Sequence, residues 1–131
     1  MKKYVIDTGV LFLHLIDDER VRPYFKEINE GRAKAFICDI NLAEYYYKTC
    51  EKLGREIADV RYNQIRVLMN PVSTNQDLTR EAGKIKCKYR DKLSLADCFA
   101  LALSKIKGAI LLTTDSDLAE IKEVKVKHFP V

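Results

Sequence analysis

Short apolar runs alternate with stretches of helical periodicity along this chain, and that alternation limits its fold more than any other feature. Tyr4-Val5-Ile6, Ala35-Phe36-Ile37-Cys38 and Ala109 to Leu112 are too short for helices and have no polar residue between the apolar ones. Strands buried on both faces read this way, as in a parallel sheet covered by helices on each side. A short strand at Val72, after the breaker Asn70-Pro71, and an edge strand from Val124 to Phe129 bring the expected count to five. Helical patterns fill the intervals at Val10–Ile16, Arg22–Asn29, Ile40–Leu53, Glu56–Met69, Asn75–Tyr89 and Ser94–Lys107, with a short helix at Ser116–Ile121. Their expected core faces are Tyr24, Phe25 and Ile28; then Ile57, Val60, Ile65 and Leu68; then Leu78, Ala82 and Ile85; then Leu95, Phe99, Ala102, Leu103 and Ile106. The class is α/β with a short, mainly parallel sheet.

The 131 residues fit one domain, 1–131, with no room for a second core. Hydrophobic residues at 47% exclude a disordered chain, and 5 Gly with 3 Pro exclude a collagen-like or linker sequence. No repeat or low-complexity tract is present. The net charge of +4 permits a polyanionic partner without requiring one. Cys38, Cys50, Cys87 and Cys98 form no C-x-x-C pair, and His14 and His128 lie far from them in sequence, which argues against zinc. Each cysteine is expected to be a small buried hydrophobe. Lys2-Lys3 before an apolar stretch imitates a signal peptide, but Asp7 interrupts it and no small-residue cleavage site follows Ile16. The uncharged run Thr8 to Ile16 is too short to span a bilayer. A cytoplasmic protein with reduced thiols is expected.

The acids carry the chemistry. Asp7 directly follows the first apolar strand, and Asp115 and Asp117 follow the strand Ala109 to Leu112. Open parallel sheets bind ligands outside the carboxyl ends of their strands, so these acids share a crevice. Glu44 lies in the first turns of the helix after the second strand, and Asp97 in the first turn of the helix that Ser94 can cap. Each has an ordinary structural explanation. Ser94 with Asp97, and Asn41 with Glu44, have capping-box spacing; Asp115 can cap a helix at Ser116; Asp7 can open a turn with Gly9. Taken together, so many carboxylates with few local cations repel one another and resist ionising. A divalent cation relieves that repulsion, and hard oxygen ligands select Mg²⁺ or Mn²⁺. Such a centre suits phosphoryl chemistry and needs no Cys, Ser or His nucleophile. His14, on an apolar helix, and His128, on an edge strand, are expected to be non-catalytic.

The chain resembles the PIN-domain ribonucleases, and among them the small VapC-type toxins. The resemblance runs over essentially the whole chain. It is carried by Val5-Ile6-Asp7-Thr8, Asn41-Leu42-Ala43-Glu44, Ser94-Leu95-Ala96-Asp97-Cys98 and Leu112-Thr113-Thr114-Asp115-Ser116-Asp117-Leu118. It implies a three-layer domain with a five-stranded sheet flanked by helices. It implies Asp7, Glu44, Asp97 and Asp115 as the catalytic, metal-binding set, with Asp117 as a peripheral metal acid. Thr8, Ser94 and Thr113 would hydrogen-bond within the pocket. Two departures are Gly9, where the family often has a small polar residue, and Leu118, where an aromatic is common. The implied activity is hydrolysis of RNA phosphodiester bonds, with a cognate antitoxin and a homodimer as partners. Two alternatives are a housekeeping nuclease of RNA processing or decay and a non-catalytic RNA- or protein-binding module.

Other families fit less well. Asp7-Thr8-Gly9 is also the aspartic-protease triplet, but that fold is all-β. A receiver domain would need a Lys where Thr113-Thr114-Asp115 stands, and a haloacid-dehalogenase phosphatase would need Asp-x-Asp after the first strand. The basic run Arg80, Lys84, Lys86, Lys88, Arg90 and Lys92 is either a solvated face or a phosphate-tracking surface. In the second case Lys84, Lys88, Arg90 and Lys92 would hold RNA in register. Of Tyr45-Tyr46-Tyr47, at least one ring must face the core, which leaves the others for base stacking. With five acids pooled around metal, the rest of the chain is clearly basic, a division suited to a polyanion.

Overall fold

A computed structural model describes all 131 residues. Five strands, β1 (Lys2–Ile6), β2 (Ala33–Cys38), β3 (Asn70–Val72), β4 (Ile110–Thr113) and β5 (Val126–His128), form one sheet in the order β3-β2-β1-β4-β5. Every neighbouring pair is parallel, with Tyr4 opposite Ala35 on one side and Ile110 on the other. Parallel neighbours require crossovers, and the helices provide them. α1 (Thr8–Leu15) and α2 (Arg22–Asn29) join β1 to β2; α3 (Asp39–Leu53) and α4 (Arg55–Leu68) join β2 to β3. α5 (Gln76–Tyr89) and α6 (Leu95–Lys107) join β3 to β4, and α7 (Ser116–Ala119) joins β4 to β5.

Alternation along the strands divides the core in two. Tyr4, Ile6, Ala35, Ile37 and Leu112 face a cluster with Leu11, Phe25, Leu42, Tyr45 and Ile65. Val5, Cys38 and Leu111 face the opposite cluster, with Leu78, Ile85, Phe99 and Leu103. Both faces are covered, which is why the strands read as unbroken apolar runs. Seven consecutive residues of α6, Cys98 to Ser104, are buried.

The strand order locates the crevice. The chain winds outward from β1 through β2 to β3, then crosses back to place β4 on the other side of β1. The reversal lies at β1, and Asp7 is the residue that immediately follows β1.

Several expected core positions are corrected. Ile57 and Val60 are exposed, and α4 buries Ala58 and Ile65 fully, because its main packing partner is α3 alone. Leu95 and Ile106, at the two ends of α6, are also exposed. Cys38 and Cys98 are buried as expected, but Cys87 is exposed on α5 and Cys50 half-buried. Asn41 is no cap: α3 begins at Asp39, and Asn41 is fully buried inside the helix. There its Nδ2 donates to the Ala96 carbonyl at 3.3 Å, and its backbone carbonyl accepts from the Thr8 hydroxyl at 3.2 Å. Asn41 therefore ties α3 to both α1 and α6. No helix is long and apolar enough to cross a membrane.

Candidate active site

Asp7, Glu44, Asp97 and Asp115 line one open cleft of about 440 Å³ with Thr8, Gly9, Phe12, Lys48, Ser94 and Thr114. β1 and β4 deliver Asp7 and Asp115 from their carboxyl ends, α3 delivers Glu44 from its second turn, and α6 delivers Asp97 from its first.

Asp7 caps α1. One carboxylate oxygen accepts from the Thr8 N–H at 2.9 Å and the other from the Thr113 hydroxyl at 2.7 Å. Thr113 Oγ1 in turn accepts from the Asp115 N–H at 3.0 Å, so one hydroxyl links two acids. Asp97 and Ser94 form a complete capping box: the Asp97 N–H donates to Ser94 Oγ at 3.1 Å, and Asp97 Oδ2 accepts from the Ser94 N–H at 3.2 Å. Asp115 caps α7, its Oδ1 accepting from the N–H groups of Asp117 at 2.8 Å and Leu118 at 3.0 Å. The caps read from sequence for Asp97 and Asp115 are therefore compatible with their shared cleft, while Asp7 caps α1 rather than opening a turn with Gly9, which lies inside that helix. The same hydrogen bonds that cap helices orient carboxylates, and each carboxylate keeps lone pairs unused.

The electrostatics follow. Asp7 is 5% exposed. Burial first, and the charges of Asp97 and Glu44 second, push its pKa up to about 7 against the hydrogen bonds from Thr113 and Thr8. Burial and the neighbouring Asp115 likewise raise Asp97. Lys48 is the one Lys or Arg lining the cleft, with its Nζ 3.5 Å from Glu44 Oε2. The donor set is all hard oxygen, its carboxylates repel one another, and a cation would relieve them, so the residues fit a divalent ion such as Mg²⁺ or Mn²⁺. No three His, Cys, Asp or Glu side chains are already gathered around a point that could hold an ion. The acids ring the cleft at its walls.

The other expected residues fall as follows. Thr8 and Ser94 line the cleft, and Thr113 lies buried behind Asp7. Asp117 is exposed on α7 and does not line the cleft. Lys84, Lys88 and Lys92 pair with Glu81, Glu123 and Glu120 at 3.7, 3.6 and 2.8 Å, and with Arg90 they stand outside the cleft lining. Leu118 is fully buried beneath α7. Gly9 leaves room for Thr114, since a Cβ there would collide with the Thr114 side chain. Tyr45 faces the core, Tyr46 donates to Asp59 at 2.7 Å, and Tyr47 is exposed. His14 stacks on Phe25, and His128 Nε2 lies 3.3 Å from the Thr114 carbonyl.

One residue of the basic run has a role its sequence position does not announce. Lys86 turns inward and donates to the carbonyls of Arg90 and of Leu93, the latter at 2.7 Å. It clamps the turn between α5 and α6, where Arg90 has a positive φ of 35°, immediately before Ser94. The position of Asp97 depends on that turn.

The family model described as PIN domain matches residues 4–124. None of the curated proteins matches the sequence. Among solved structures, DNA-bound VapBC from Salmonella typhimurium superposes with a TM-score of 0.80 at 16% identity, covering 98% of this chain and 98% of that one. A toxin–antitoxin complex from Klebsiella pneumoniae gives 0.69 at 20% identity, with 98% and 99% covered. VapC20 from Mycobacterium tuberculosis, a Sarcin-Ricin loop cleaving toxin, gives 0.69 at 19% identity, with 92% and 98% covered. At these identities the likeness is one of fold.

Proposed function

This chain belongs to the PIN-domain family, and from that premise we propose that it is a metal-dependent endoribonuclease, the toxin of a toxin–antitoxin pair, acting as one PIN-like unit over residues 1–131. The observation that carries the reading is the convergence of Asp7, Glu44, Asp97 and Asp115 on one cleft with a single lining cation. The fold it shares with VapC20 and with two toxin–antitoxin complexes supports the choice of RNA as substrate and of an antitoxin as partner.

Asp7, Glu44, Asp97 and Asp115 would hold Mg²⁺ or Mn²⁺, with Asp117 at the margin. An ion held by these residues would supply polarisation of a phosphate oxygen and a more acidic water. The chain's own residues do the remaining work. Thr113 and the Thr8 N–H hold Asp7 in one orientation, and the capping box does the same for Asp97. Asp97 Oδ1 takes no hydrogen bond from the chain and is left free for the ion or for a water beside it. The Ser94 hydroxyl at the cleft wall accepts from the Asp97 N–H and keeps its own proton for a phosphate oxygen, while Thr8 donates its proton to the Asn41 carbonyl and fixes the wall beside Asp7. Lys84, Lys88, Arg90 and Lys92 extend a basic surface from the α5–α6 turn for the flanking backbone.

Exposed Val60 and Val67 on α4, with a groove between His14, Ile28 and Leu68, offer an antitoxin an apolar seat. A second copy of the chain and a cytoplasmic setting complete the proposal. Mg²⁺ or Mn²⁺ should support cleavage of single-stranded RNA, EDTA should abolish it, and Asp7→Asn should remain folded and inactive. Unchanged cleavage by Asp7→Asn would sink the assignment. Induced expression should arrest growth with the wild type and not with Asp97→Asn; equal growth would favour housekeeping RNA processing or decay, or a non-catalytic binding module.

A further inference from the structure

The cleft holds four carboxylates and one ammonium, and that ammonium comes from an unexpected element. The basic run at the end of α5 is tied to Glu81, Glu120 and Glu123, outside the cleft lining. The cation that does line the cleft, Lys48, stands one helical turn after Glu44 on α3. Glu followed by Lys four residues later is the favourable order for a helical pair. The contact is nevertheless loose. At 3.5 Å it is longer than a charge-assisted hydrogen bond of about 2.8 Å, and the Lys48 side chain remains 44% exposed. Lys48 therefore compensates the acids of the cleft without being locked to them.

We propose that Lys48 is a substrate-binding residue. Its ammonium, which rests on Glu44, would move to a backbone phosphate of the RNA once Glu44 engaged a divalent cation. The inference rests on the nuclease reading above. Its logic is a charge exchange. A carboxylate engaged with a dication no longer attracts an ammonium, and the ammonium is repelled by the ion toward the nearest other anion. In a cleft that receives a polyanion, that anion is a phosphate. The four-carbon stem of Lys48 gives the reach for such a move, and a point charge suits a phosphate without reading a base.

Three measurements on the intact protein test this, using Lys48→Gln and Lys48→Arg. First, steady-state RNA cleavage should show KM raised about three- to ten-fold by Lys48→Gln, with kcat within about two-fold and recovery in Lys48→Arg. Second, binding of a fluorescein-labelled, phosphorothioate-linked single-stranded RNA in Mg²⁺ should lose about 0.7 from the slope of log K against log salt, one phosphate contact on a single strand. Third, Mn²⁺ titrated into RNA-free protein should bind Lys48→Gln about two- to five-fold more tightly, because Glu44 has lost its competitor. An unchanged KM and salt slope, or Mn²⁺ affinity unchanged or weakened, overturns the proposal. If the wild type fails to cleave RNA, the nuclease reading falls by itself, while the salt slope and the Mn²⁺ titration still decide the role of Lys48.

Discussion

The hydroxyl of Thr113 donates to Oδ2 of Asp7 across 106 residues of sequence at 2.7 Å, in a fully buried position. It is the one side-chain donor that Asp7 has, and it opposes the burial that pushes Asp7 toward its neutral form. Thr113→Val removes the donor at nearly constant shape. The pKa of Asp7 should then rise further, and the acidic limb of Mn²⁺ binding should move to higher pH, while Thr113→Ser restores both. Titrating Mn²⁺ affinity against pH in the three proteins checks this; superimposable profiles would show that the hydroxyl is only packing.

Asp7 itself lowers the stability of the metal-free protein at neutral pH. Its pKa is 3.8 ordinarily and about 7 in the fold. Between those values the folded state binds more protons than the unfolded chain, so stability falls as pH rises through that window and stays low above it. The shift corresponds to about 4 kcal/mol. Asp7→Asn cannot ionise, so it should flatten this slope and melt above the wild type at about pH 8 in EDTA. Adding Mn²⁺ should raise the wild-type Tm and leave that of the variant in place. A wild type with no such fall in Tm contradicts the buried, proton-retaining Asp7.

Ser94 has one job in two parts, capping α6 and holding Asp97. Ser94→Ala should cost roughly 0.5–2 kcal/mol in urea unfolding and should weaken Mn²⁺ binding as well. Ser94→Thr keeps the cap acceptor and should recover most of both. Loss of stability with intact Mn²⁺ affinity would separate the cap from the site.

At Gly9 the constraint is steric. A Cβ there meets Oγ1, Cβ and Cγ2 of Thr114. Gly9→Ala should therefore destabilise by roughly 1–3 kcal/mol, and Thr114→Gly in the same chain should offset most of that loss. Additive losses in the double variant would contradict the contact.

Lys86→Met keeps the stem of the side chain and deletes the clamp on the Arg90 and Leu93 carbonyls. A loss of about 1–3 kcal/mol is expected, with faster amide exchange across residues 90–97 than elsewhere. Uniform exchange would leave Lys86 as an ordinary surface lysine.

What could be read from sequence were the strand runs, buried on both faces, and the acids at their carboxyl ends. Asp7 and Asp115 follow strands directly, and Asp97 sits in a Ser-x-x-Asp box, so local signals coincide with site positions. Relations between distant segments could not be read. Asn41 has the spacing of a cap and instead bridges three helices, and Lys86 sits among solvated lysines and instead turns inward. Lys48 lies outside the basic run that charge counting favoured. Ile57 and Val60 match helical periodicity, but which apolar stripe is buried depends on the angle at which α4 meets α3, and no local pattern encodes that angle.

Because β1 is the central strand and its partner β4 follows only after α1 to α6, the cleft has a birth order. A ribosome extruding this protein releases Asp7 first, then Glu44, then Asp97, and only after them the hydroxyl that orients Asp7. No nascent fragment that stops short of Thr113 contains the linked pair of acids. Any activity in this cleft therefore waits for β4 to dock beside β1, a timing written into the strand order.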